Sequence, residues 1–208
     1  MAGEGFILGA ACLLCSESSL VLEVQKQAKW VYEPRGVVRI GVGCIGGALR
    51  TGEDLVDGLQ RGCVEEVGCR AHLRSAPATL EVTPEGALLE REWPEAGPRP
   101  ALLWEDTGPG SMPGGKVAVF LGEAAGRPEP RDLPALLLVD HRLLWVLTER
   151  RLTLTAALDE GVGLRTTYAI PPQALLEPVG TPAMLARLRR AHPATADDLV
   201  RQVFAAQA

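Results

Sequence analysis

The sequence predicts an α/β or α+β fold: a mixed β-sheet sandwiched between helices, with extra helices at the C-terminus. Three observations predict it. Short apolar runs recur between Phe6 and Gly122, one amphipathic helical segment interrupts them at 53–67, and the chain beyond His141 reads mostly as helical.

Phe6 to Val24 reads as two strands around the polar turn Ser16-Glu17-Ser18-Ser19, most simply a hairpin, because Val21, Leu22 and Val24 favour a pleated, half-buried surface. Lys26 to Pro34 is a connection. Arg35 to Ile45 is strand-like, with Gly41 and Gly43 marking bulges or close backbone approach. Gly46-Gly47 opens a loop that ends at Gly52. A helix from about Glu53 to Val67 follows, and Gly68 stops it, as glycine does when it accepts the left-handed conformation past a helix end. Strands are expected at Ala71–Leu73, Ala78–Val82, Ala87–Leu89 and Ala101–Trp104. A flexible stretch is expected near Gly108–Gly115, and Lys116–Gly122 reads as a central strand. Leu136–Val139 is a short apolar run. His141 to Leu158 reads as one helix, and Ala183–His192 and Ala196–Ala205 as two more. No internal repeat and no domain boundary stand out. The chain reads as a single domain over 1–208, with a helical extension from about 182 to 208.

Hydrophobic residues make up 47% of the chain and charged residues 23%, the balance of a folded globular protein rather than a disordered one. The net charge of −5 argues against a nucleic-acid coat, which needs a basic face, so no DNA partner is expected. No apolar run is long enough to span a bilayer, and no Lys or Arg precedes the apolar stretch Phe6–Cys15. Neither a membrane partner nor a signal peptide is expected. Five cysteines (Cys12, Cys15, Cys44, Cys63 and Cys69) do not make a disulfide scaffold. They read as buried thiols in a reducing, cytoplasmic setting, with no zinc expected at Cys12-Leu-Leu-Cys15.

On the 53–67 helix, Val56, Leu59, Cys63 and Val67 form one apolar stripe, while Asp54, Asp57, Gln60 and Arg61 point away from it. Gly58, Gly62, Glu65 and Glu66 lie on a flank of the stripe. Glycine inside a helix costs about 1 kcal/mol relative to alanine, so either another element packs close there or a ligand needs the room. Glu65 and Glu66 are expected to project into a cleft beside the space left at Gly62.

This segment resembles the Nudix signature. Gly47 is followed after five residues by Glu53 and after seven more by Arg61. Then come Gly62, Cys63, Val64, Glu65, Glu66, Val67, Gly68 and Cys69. Six of the seven fixed positions match (Gly47, Glu53, Arg61, Glu65, Glu66 and Gly68), and Gly46 completes the common Gly-Gly opening. Gly62 stands where the signature has the glutamate of its Arg-Glu pair. The resemblance implies a Nudix fold and a metal-dependent hydrolase that cleaves a nucleoside diphosphate linked to another group. It implies Glu65, Glu66, Glu53 and Arg61 as catalytic residues, with Glu65 and Glu66 holding Mg²⁺ or Mn²⁺. Gly46 and Gly47 would approach a small-molecule nucleotide diphosphate. Hard cations want several oxygen ligands, so the missing glutamate is expected to cost on the order of 10²-fold in rate. The alternative is a catalytically silent relative that binds a nucleotide, RNA or protein partner in the same cleft. A compensating loop acid is sought among Glu123, Glu129 and Asp132, then Glu105-Asp106. Trp30, Trp93 and Trp104 are candidates for stacking on a base or for packing. The three histidines show no metal-like grouping. The C-terminal helices are open to two readings, a family extension or a homodimer contact.

Overall fold

The computed structural model describes residues 6–34, 36–107 and 112–205. Arg35 and part of the flexible stretch expected near Gly108–Gly115 lie outside the described residues. The predicted hairpin is present. Strands β1 (Ile7–Ser16) and β2 (Ser19–Val24) pair antiparallel, with Ser16 opposite Ser19. The two turn residues Glu17 and Ser18 both take positive φ, 49° and 63°, as tight turns that match strand twist require. Along β1, Ala10, Cys12 and Leu14 face one core and Ala11, Leu13 and Cys15 the other. Burial on both faces explains why this strand reads as an unbroken apolar run rather than an alternating one.

The chain continues through β3 (Val31–Tyr32), β4 (Val38–Ala48), helix α1 (Leu55–Val67) and strands β5 (Ala71–Arg74), β6 (Thr79–Val82), β7 (Leu88–Arg91), β8 (Leu102–Glu105) and β9 (Lys116–Ala124). Strand β4 runs past its expected end, so Gly46 and Gly47 lie in the strand and pair with β1 rather than opening a loop. The sheet also takes in β10 (Ala135–Val139), β11 (Leu152–Thr153), β12 (Gly163–Thr166) and β13 (Leu175–Pro178). Its main path runs β11-β13-β4-β2-β1-β9-β8-β6-β7, with β10 and β12 extending it from β2. The sheet is mixed: β1/β9, β4/β13 and β6/β8 are parallel pairs. As expected, β9 is central.

The helix expected over His141–Leu158 is two helices, α2 (His141–Glu149) and α3 (Leu154–Asp159). Between them β11 pairs with β13, and the Thr153 hydroxyl accepts the Ala156 N–H at 3.1 Å to cap α3. Strands β12 and β13 carry no strong sequence signal. Each is four residues long and is held by a partner distant in the chain.

The sheet separates two cores. On one face α1 buries Leu59, Cys63 and Val67 against Cys12, Leu14, Ile45 and Phe120. The opposite face is covered by α2, α4 (Thr181–Ala191) and α5 (Pro193–Phe204). Leu59 and Val67 have no exposed surface, and burying each contributes about 1.5–3 kcal/mol. Among the described residues no helix is long and apolar enough to cross a membrane.

Candidate active site: the α1 carboxylates against β4

Helix α1 begins where Asp54 accepts hydrogen bonds from the Val56 and Asp57 N–H groups. It ends where Gly68 adopts φ 72°. Its buried side includes Gly58 and Gly62. At Gly62 a Cβ atom would stand 3.3 Å from the Gly46 Cα, so helix and strand touch backbone to backbone. Gly46 in turn has φ 143°, and a Cβ there would stand 2.2 Å from the Ala10 carbonyl oxygen. The space expected at position 62 is therefore filled by β4.

Glu53 and Arg61, which the resemblance implies as catalytic residues, form an ion-paired brace. The Arg61 Nε and Nη2 donate to the two Glu53 carboxylate oxygens at 2.7 and 2.8 Å, and the Arg50 N–H donates to the same carboxylate at 2.8 Å. The Arg61 guanidinium beside it, with the Arg50 N–H, holds the Glu53 carboxyl down at about 2, and the same pairing raises the Arg61 pKa. Arg61 Nη2 also donates to the Ala48 carbonyl at 3.1 Å, so the brace ties the 49–53 loop and the end of β4 to the helix. Gly58 leaves room for this, since a Cβ there would meet Leu49 and the Glu53 carboxylate.

Glu65 and Glu66 do not share a cleft. Glu65 is exposed and its two oxygens accept from Arg50 Nη2 at 3.2 Å and Arg61 Nη1 at 3.1 Å. It lines a solvent-open depression with Asp57, Gln60, Arg61, Val64 and Arg70, and Glu66 has no part in that depression. Glu66 turns inward, and its Oε2 accepts the Gly46 N–H at 2.9 Å. Burial, and then the nearby Glu23 carboxylate, push the Glu66 carboxyl up to about 8, against the pull of the Gly46 N–H and Lys26. Burial likewise raises Glu23 to about 7, opposed by Lys29 and Lys26.

Sequence reading missed Glu23, Lys26 and the role of Gln60. Glu23 lies on β2 opposite Gly43 of β4, and its carboxylate takes the space a Cβ at Gly43 would need. Its signal is a lone acid in an otherwise apolar strand, opposite a glycine. Gln60, expected to point away from the core, instead donates to the Ala71 carbonyl at 2.7 Å and accepts its N–H at 3.0 Å, which fixes the start of β5. Among the loop acids, Asp132 is brought near Glu66 and forms an ion pair with Lys26. Glu129 pairs with Arg127 at 3.0 Å, Glu123 lies on β9 opposite His72, and Glu105 accepts the Gly114 N–H at 2.8 Å. Trp30 and Trp104 are core residues, and Trp93 packs on the α1 side of the sheet. Cys12 and Cys15 face opposite cores, so they cannot grip one ion.

Among the described residues no three His, Cys, Asp or Glu side chains converge to hold an ion. Both Glu65 oxygens are engaged by guanidinium groups, Glu66 favours its protonated form at neutral pH, and an ammonium group stands at Asp132. As arranged, this donor set does not fit Mg²⁺ or Mn²⁺, which require several ionised oxygen ligands around one point.

No protein-family model matches the chain, and no curated protein does. Solved structures do. A NUDIX-family hydrolase from Clostridium perfringens is 10% identical over 76% of this chain and 94% of its own, with a TM-score of 0.42. A NUDIX hydrolase from Nitrosomonas europaea is 14% identical over 86% and 81%, with a TM-score of 0.37. An ADP-ribose pyrophosphatase from Streptococcus suis is 11% identical over 92% and 89%, with a TM-score of 0.34. The chain is similar to Nudix hydrolases of known structure.

Proposed function

We propose that the chain is a Nudix-type protein in which the box works as a structural brace, and that it binds a nucleotide diphosphate without hydrolysing it. The observation that carries this reading is the condition of positions 62, 65 and 66. Gly62 is closed against Gly46, Glu65 is held by Arg50 and Arg61, and Glu66 is spent on the Gly46 N–H. The Glu53–Arg61 brace, which supports the loop rather than the chemistry, is intact. The nucleotide comes from the resemblance of residues 47–69 to the signature.

A second reading, a weakened metal-dependent hydrolase, is favoured by one observation. The loop that leads to Asp132 is bonded to the C-terminal end of α1, and the Glu23 and Asp132 carboxylates both act on Glu66, so acids remain near the helix end. One experiment separates the two. The chain is incubated with nucleoside diphosphate compounds, ADP-ribose among them, with Mg²⁺ or Mn²⁺. Products are measured by chromatography and binding by calorimetry. Binding without product is expected. Turnover abolished by Glu66→Gln would establish the hydrolase, and absence of both binding and turnover would remove both readings.

A further inference from the structure

We propose that His141 is a pH-operated latch between α2 and α5: unprotonated, it accepts the Trp145 indole N–H, and protonated, it donates instead to Asp197. His141 is the first residue of α2, and Asp197 lies on α5. The Trp145 Nε1–H donates to His141 Nε2 at 3.3 Å, so in this arrangement Nε2 offers a lone pair and the ring proton sits on Nδ1. The ring stands edge-on to Trp145 at 6.1 Å and to Phe204 of α5 at 6.5 Å, which wedges it between the two helices. Asp197 Oδ1 lies 4.0 Å from the same Nε2. That oxygen is buried and accepts no hydrogen bond among the described residues.

A buried carboxylate oxygen without a donor costs free energy that a new donor would recover. The neutral ring cannot supply one from Nε2 while that atom accepts from Trp145. A proton taken from solvent makes both ring nitrogens donors. The Trp145 bond is then lost, because two N–H groups face each other, and Asp197 Oδ1 is an acceptor within reach. A charge-assisted bond of this kind is about 2.7–2.9 Å long, so the ring has about 1 Å to travel. The His141 side chain is 40% exposed, so water reaches it. Imidazole is also the side chain whose charge ordinarily changes between pH 5 and 8.

Arg189 of α4 competes for the same oxygen, with its Nε 3.5 Å from Asp197 Oδ1. It has a second anchor in Glu149 at 2.7 Å, so it can yield Asp197 to the ring. The neighbouring charges on α2 are already engaged. The Asp140 carboxylate accepts the Leu143 N–H at 2.7 Å, and Arg142 pairs with Glu160 at 3.5 Å.

Nuclear magnetic resonance on the full chain tests the latch with protons as the only ligand. At pH 8 the His141 Nε2 is expected to give the signal of an unprotonated ring nitrogen. Between pH 8 and pH 5 it should gain its proton, and the Trp145 indole N–H, identified by its absence in Trp145→Phe, should move with it. His141→Phe should leave the Trp145 signal unmoved over the same range, and His141→Gln takes its place if that variant does not fold. Corrected for intrinsic exchange rates, the α5 amides of the native chain should gain at least about threefold more protection between pH 8 and pH 5 than those of Asp197→Asn. Asp197→Ser repeats that comparison if Asp197→Asn does not fold. A proton on Nε2 already at pH 8, a native Trp145 signal that stays put, or equal protection gains with and without the Asp197 carboxylate overturns the inference. The latch lies on the sheet face opposite α1, so these results stand apart from whether the chain binds or cleaves a nucleotide.

Discussion

The Glu66 carboxylate accepts the Gly46 N–H, and burial with the nearby Glu23 and Asp132 carboxylates outweighs the pull of that N–H and of Lys26. In an unfolded chain it would titrate near 4.5, and in the fold it titrates near 8. Between those values the native state holds a proton the unfolded state has released, so stability is greatest at the low end and falls as pH rises through about 8. At about 1.4 kcal/mol per pKa unit, the loss is at most about 5 kcal/mol for this group, and Glu23 adds in the same direction. The Glu53 carboxyl has the opposite sign. Arg61 holds it at about 2, so its contribution is present above 4.5 and lost as pH falls toward 2. Stability should therefore peak near pH 5. Thermal denaturation is expected to give a higher midpoint at pH 5.5 than at pH 8.5, and Glu66→Gln should remove most of that difference. A native profile flat from pH 5 to 9 would mean that Glu66 is solvated rather than buried.

At the scale of elements, α1 and β4 meet through two glycines, and each fixes the other. Replacing a helical glycine with alanine normally gains about 1 kcal/mol. At Gly62 the new methyl would press on the Gly46 backbone at 3.3 Å, and Gly46 cannot retreat because it is paired with Ala11 of β1. Overpacking costs about 1–3 kcal/mol, so Gly62→Ala should destabilise by about 1 kcal/mol net. Gly46→Ala combines a 2.2 Å contact with φ 143° and should cost about 3 kcal/mol or more. Urea denaturation should reproduce that order, and a stabilised Gly62→Ala would show that α1 can lift from the sheet. The helix itself was legible in the sequence. Its stripe of Leu59, Cys63 and Val67 and its Gly68 stop are local features, and so is the spacing of Glu53 and Arg61, whereas its start, expected at about Glu53, lies at Leu55, with Asp54 as the cap rather than in the first turn. The direction each glutamate takes was not legible, because adjacent residues on a helix point about 100° apart, and only the packed sheet decides which one is buried. Glu23 was hidden for the same reason. Its partners come from β4, α1 and the 125–134 loop, and no spacing along the chain announces them.

At the scale of the whole molecule, the hairpin β1/β2 and the central place of β9 could be read from apolar runs. The parallel pairing of β1 with β9 and of β4 with β13 joins segments more than a hundred residues apart and left no local trace. The C-terminal helices were legible as helices but not in their use. Leu185 and Leu188 of α4 and Leu199, Val200 and Val203 of α5 are buried in the same core as Leu13 and Leu22 of the sheet. Arg74 of β5 donates to the Gln202 and Val203 carbonyls at 2.9 and 3.1 Å, which ties down the end of α5. Arg189 of α4 lies 4.5 Å over the Trp145 ring of α2 and pairs with Glu149 at 2.7 Å. The apolar stripes of these helices are thus consumed within the chain, and together with α2 they pack on the sheet face opposite α1. Leu199→Ala should cost about 2–5 kcal/mol, the range for emptying a buried leucine site. Removing residues 193–208 should do more: it would bare the sheet face around Leu13 and Leu22, and the shortened chain should bind a hydrophobic dye and elute as aggregates in size-exclusion chromatography. A helix that served only to join two copies would behave differently. Its loss would leave a soluble monomer with an unchanged melting midpoint, and that outcome would move α5 out of the core and into an interface.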